Sequence, residues 1–96
     1  MTKIDFDRFM LIKSIDGQKK AEMNVRRVFA EELYSRGQGL AFHALALKIY
    51  NGDGVQEFNE EECKLMVTFA SQCMSPAFLD SLQETIKENG TDLLTI

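Results

Sequence analysis

Apolar residues return along most of this chain every three or four positions, the interval that lines one side of an α-helix. The phase is clearest from Glu60 to Met74, where Cys63, Met66, Val67, Ala70, Cys73 and Met74 share a face that Leu65 and Phe69 widen. Asn59 stands as N-cap with Glu62 three residues later, a capping-box arrangement. Glu60, Glu61 and Glu62 fill the first turn, where the helix dipole favours negative charge. Ser75-Pro76 then supplies a cap followed by proline at the first helical position, opening a last helix through Phe78, Leu79, Leu82 and Ile86 to Asn89-Gly90. An apolar tail of Leu93, Leu94 and Ile96 follows and is expected to dock on this chain's own core or on a neighbouring chain.

Upstream, the segment from Gln18 to about Ser35 reads as an amphipathic helix. Its core face would carry Ala21, Val25, Val28, Phe29 and Leu33, with Asp16 as cap and Gly37 as stop. Leu40 to Tyr50 is apolar nearly all round, interrupted only by His43 and Lys48, which predicts a central helix. The first segment, residues 4–15, fits two patterns. Ile4, Phe6, Met10 and Ile12 alternate as in a strand, whereas a Thr2-x-x-Asp5 cap with Phe6, Phe9 and Met10 fits a helix. Helix is the reading adopted, with a strand as the alternative. The expected architecture is therefore all-α, a compact bundle of four to five short helices forming a single domain over residues 1–96.

Composition agrees with a folded globular chain: 45% of the 96 residues are hydrophobic and 27% charged, and no apolar run approaches membrane-spanning length. The first residues carry acids and lack a secretory apolar stretch. Cys63 and Cys73 fall ten positions apart on one helix, about 15 Å along its axis at the usual rise, too far to bridge. With no disulfide framework and no export signal, a reducing cytoplasm is the expected compartment. The net charge of −4 hides an asymmetry: residues 1–48 hold nine Lys and Arg against six acids (+3), and residues 49–96 hold two against nine (−7). Such halves suit pairing across the fold, pairing between subunits, or opposite faces for different partners.

Residues 51–62, NGDGVQEFNEEE, resemble an EF-hand calcium loop. With Gly54 at the bend, Asn51, Asp53, Glu57 and Glu60 fall at ligand positions. The chain departs from that pattern at Ile49, which stands where the first ligand belongs, and at Gln56, where an apolar strand residue is usual. No second such run supplies the usual paired loop. The same letters have a structural account, since Asn51-Gly52 and Asp53-Gly54 are turn dipeptides that end one helix before Asn59 caps the next. A degenerate calcium binder is thus a remote alternative.

No catalytic, cofactor or metal constellation emerges. His43 is the single histidine, expected to be partly buried in LAFHALAL and hydrogen-bonded to a neighbour. It forms no close-spaced ligand pair with Cys63 or Cys73, and both cysteines lie on the core stripe as buried structural thiols. Ser35-Arg36-Gly37-Gln38-Gly39 has glycines ahead of a helix but no preceding strand and no Lys-Ser or Lys-Thr, so an ordinary helix-helix turn is expected. The surface singled out is a mixed stripe of Lys20, Met23, Arg27, Ala30 and Tyr34 on the 18–35 helix, flanked by Lys19 and Arg26. A pI of 4.9 opposes attraction to a polyanion, so nucleic acid ranks as the alternative partner. Met and Tyr favour interface cores, and an acidic face around Glu57, Glu60 and Glu61, on another protein or a second copy, would complement the stripe. The expected function is a non-enzymatic protein-interaction module of adaptor or inhibitor type that takes no cofactor, does not engage a membrane, and is able to self-associate.

Overall fold

The computed structural model describes residues 1–89 and has a mixed α/β architecture rather than the all-α bundle expected from sequence. Strand β1 spans Thr2–Asp5, a single 3-10 turn covers Phe6–Arg8, and β2 spans Phe9–Ile12. Strand β3 (Lys20–Met23) precedes the helices α1 (Arg26–Arg36) and α2 (Leu40–Asn51). Strand β4 (Val55–Phe58), α3 (Glu60–Cys73) and α4 (Pro76–Asn89) complete the described chain. The strands form two antiparallel pairs, β1 with β4 in the register Thr2↔Phe58 to Asp5↔Val55, and β2 with β3 from Phe9↔Met23 to Ile12↔Lys20.

The helix adopted for residues 4–15 is thus a correction: the segment is strand, turn and strand. Asp5 explains the break, because its carboxylate accepts the backbone N–H groups of Asp7 at 3.0 Å and Arg8 at 3.2 Å and bends the chain there. The bend shifts the inward phase so that Ile4, Phe6 and Phe9 are all buried, while Met10, which a helix would have placed beside Phe6, is exposed. Phe6 becomes the hub of an aromatic cluster, with ring centroids 5.7 Å from Phe9, 5.4 Å from Phe29 and 5.8 Å from Phe58. Phe78 closes it from α4, 5.0 Å from Phe29. These rings join both strand pairs to the helices in one core.

The expected helix from Gln18 to Ser35 is also shortened: its first turns are β3, and α1 begins only at Arg26. The Asp16-Gly17 dipeptide makes a hairpin turn, with Gly17 at φ +76. Asp16 does cap a backbone amide, that of Gln18 at 3.0 Å, and accepts the Ser14 hydroxyl at 2.6 Å, but it caps a turn and not a helix. Val25, Phe29 and Leu33 are buried as the periodicity implies, whereas Val28 is exposed.

Helix α3 starts as read from sequence. Asn59 accepts the Glu62 N–H at 2.7 Å while the Glu62 carboxylate accepts the Asn59 N–H at 2.9 Å. The Ser75 hydroxyl likewise accepts the Phe78 N–H at 3.2 Å at the head of α4. Helix α4 lies along the outer edge of β2, where the buried Ser81 hydroxyl accepts the Ile12 N–H at 2.7 Å and donates to the Ala77 carbonyl at 2.6 Å. Helix α2 corrects the expectation of a central helix. Only Leu45, Ala46 and Ile49 are buried, and its other apolar residues reach the surface or its margin. The apolar tail of Leu93, Leu94 and Ile96 lies outside the described residues.

Candidate protein interface

Helices α1 and α2 form an antiparallel hairpin joined through Gly37-Gln38-Gly39. Gly37 permits the tight reversal: a Cβ there would stand 2.5 Å from the Leu33 carbonyl oxygen and 2.7 Å from the Phe42 Cβ. Gly39, at φ +100, takes the backbone conformation that opens α2. The small, buried Ala30 of α1 and Ala46 of α2 line the same concavity between the two helices. Small side chains at that point leave a shallow groove of about 410 Å³, walled by Glu31, Tyr34, Leu47 and Tyr50. Tyr34 is 62% exposed, Leu47 45% and Tyr50 41%, and Leu40 at the hairpin end reaches 86%. Four exposed apolar side chains thus gather on the α1–α2 face, and a patch of this kind is the usual mark of a contact surface.

The groove's rings are held at both ends. Arg27 sits over the Tyr50 ring, 5.8 Å from its centroid, and His43 meets Tyr34 edge to face with centroids 5.4 Å apart. His43 is therefore an exposed partner of Tyr34 rather than the partly buried histidine expected. The hairpin is tied to the strands through Asp7. One carboxylate oxygen accepts Arg26 Nε at 2.7 Å and Asn24 Nδ2 at 3.1 Å, and the other accepts the Gly54 N–H at 2.8 Å. Arg26 also donates to the Tyr50 carbonyl, so one guanidinium spans the start of α1, the end of α2 and the 3-10 turn. The Arg26 hydrogen bond, aided by the Gly54 amide, holds the Asp7 carboxyl below its ordinary range, and Asp7 in turn raises Arg26.

The stripe read from sequence is divided between two elements. Arg27, Ala30 and Tyr34 lie on α1, with Arg27 and Tyr34 at the ends of the groove and Ala30 buried in its floor. Lys20 and Met23 belong to β3, where the Lys20 ammonium pairs with Glu84 at 2.9 Å. Arg26 is committed to Asp7 and Lys19 donates its N–H to Ser14 in the hairpin turn. Leu40, His43, Leu47 and Tyr50 complete the face from α2, and sequence reasoning assigned none of them to it. The signal that points to them is stoichiometric, because a chain of this length buries a thin core and cannot cover a helix that is apolar all round.

The residues of the calcium-loop resemblance do not converge on a point. Asn51 ends α2, Ile49 is buried in the core, and Gly54 gives its N–H to Asp7 as the chain turns into β4. Among the described residues no group of three or more His, Cys, Asp or Glu is arranged to hold a metal ion. No helix among them is long and apolar enough to cross a membrane. No protein-family model matches the chain, and no curated protein or solved structure is significantly similar to it.

Proposed function

We propose that this chain is a non-enzymatic protein-binding domain of adaptor type, working in the cytoplasm through the groove between α1 and α2. The observation that carries the reading is the ring of exposed Tyr34, Leu47 and Tyr50 around a floor of two alanines. A floor of small residues flanked by rigid aromatic walls suits the apolar ridge of a partner, and Tyr is a side chain that concentrates binding energy at interface centres. Among the described residues Glu31 is the one charged residue in the groove's lining, and Arg27 stands beside it over the Tyr50 ring, so the surface is largely apolar with few charges.

The test compares three baits in host extract: the unchanged chain, a Tyr34→Ala/Leu47→Asp double variant, and Ile15→Asp as a control at the fully exposed turn between β2 and β3. All three are to keep the helical circular dichroism. A partner retained by the first and third and lost from the second supports the reading, with the retained protein then titrated by calorimetry. Equal capture by all three baits, or capture by none, contradicts it.

A further inference from the structure

We infer that the occupant of the α1–α2 face is the same face of a second copy of this chain, related to the first by a two-fold axis. The inference rests on the reading of that face as a docking surface and names its partner. Its basis is the pattern of charges left over on α1. Of the charged side chains on this helix, Arg26 is bound by Asp7 at 2.7 Å, and Glu32 and Arg36 pair with each other at 3.1 Å. Arg27 and Glu31, one helical turn apart, make no ion pair among the described residues, and both stand at the groove. A lone cation and a lone anion on one face are self-complementary under two-fold rotation. With the axis between them, Arg27 of each copy meets Glu31 of the other, and like charges are kept apart.

The apolar residues obey the same operation. The same rotation runs the two α1 helices antiparallel, with Ala30 of each copy close to the axis and Tyr34 of each one turn beyond Arg27 of the other. A head-to-tail contact, basic stripe against acidic α3, has less to offer. Lys20 and Arg26 already hold Glu84 and Asp7, and Glu60 approaches Lys64 at 3.5 Å. Such a contact also leaves one face of each copy unpaired in a dimer, and closes only where its rotation generates a ring. The two-fold arrangement closes at two.

Charge exchange tests the inference on the 96-residue chain by sedimentation velocity over a concentration series. The unchanged chain is expected to pass from monomer to dimer. Arg27→Glu and Glu31→Arg each place like charges across the axis twice and are expected to raise the dimer dissociation constant by at least about tenfold. An equimolar mixture of these two single variants restores both opposite pairs and is expected to form a heterodimer, as the Arg27→Glu/Glu31→Arg double variant restores the homodimer. Recovery on mixing is a readout that a misfolded variant does not give. A chain that stays monomeric at every concentration, single reversals that dimerise as the unchanged chain does, or a mixture that stays monomeric overturns the second copy as occupant. If the chain is monomeric while Tyr34→Ala/Leu47→Asp still loses a captured partner, the docking face stands and only its occupant changes. If that capture is unaffected as well, both readings fall.

Discussion

Arg27 lies over the ring of Tyr50, 5.8 Å from its centroid, so the first turn of α1 clasps the last turn of α2 from the solvent side. The contact fixes one wall of the groove without burying it. At an exposed site such a pair contributes about 0.5–1 kcal/mol. Tyr50→Leu is therefore expected to keep the fold and lower stability by roughly that amount, with Arg27→Met adding little once the ring is gone. A double-mutant cycle by urea denaturation checks this, and fully additive losses would show that the two side chains do not interact.

Ser81 is a polar residue in an apolar setting because β2 needs an acceptor there. Its hydroxyl takes the Ile12 N–H at 2.7 Å on the edge of β2 facing α4. Ser81→Ala strands that donor against the helix and is expected to cost about 1–2 kcal/mol, read as a lower urea midpoint with an unchanged slope. A variant as stable as the parent would mean that the Ile12 amide finds another partner.

Acid sensitivity follows from Asp7. Its carboxyl titrates below the ordinary value of 3.8 in the folded chain, chiefly through the Arg26 hydrogen bond, so folding favours the ionised form. The resulting stability is fully present above the unfolded value and is lost as pH falls through the folded one. Asp7→Asn is expected to be less stable at neutral pH and to show a shallower loss of stability in acid. Some slope should persist, because Asp16 is lowered too by Ser14 and the Gln18 amide. Urea midpoints from about pH 2 to pH 7 measure it, and identical acid limbs for parent and variant would contradict the assignment.

The two thiols differ in environment. Cys63 is buried, and burial raises its pKa despite a hydrogen bond with Thr2, whereas Cys73 is only half-buried. A buried thiol with a raised pKa presents little thiolate to a reagent at neutral pH. Disulfide-exchange labelling of the native chain is expected to modify Cys73 first and Cys63 only as the chain opens. Equal rates at both positions would place Cys63 at the surface.

Those elements whose signals lie within a few residues were legible in the sequence. Asn59 with Glu62 and Ser75 with Pro76 are local chemistry, and α3 and α4 begin where those residues imply. The strands were not, because each is four residues long and β1 finds its partner β4 some fifty residues away. No local periodicity records such a pairing. The β2–β3 hairpin did leave a mark in Asp16-Gly17, but Ala21 and Val25 are four apart and extend the true phase of α1 backwards, so strand residues read as helix. At the candidate interface, Arg27 and Tyr34 were accessible to periodicity because they stand across α1 from the buried Phe29 and Leu33. The α2 half was not, since a helix apolar on every side carries no phase to say which side faces water. Only the packing of Leu45, Ala46 and Ile49 into the core shows that Leu40, Leu47 and Tyr50 are left outside.

Hydroxyl-radical footprinting across a concentration series tests the α1–α2 face most directly, because it reads side-chain exposure at each position. Tyr34, Leu47 and Tyr50 are expected to lose reactivity together as the chain is concentrated, while the exposed Ile15 at the hairpin tip and Val55 on β4 stay constant. Unchanged reactivity at those three residues at every concentration, or protection that appears at Ile15 or Val55 instead, would contradict the pairing of two copies through this face.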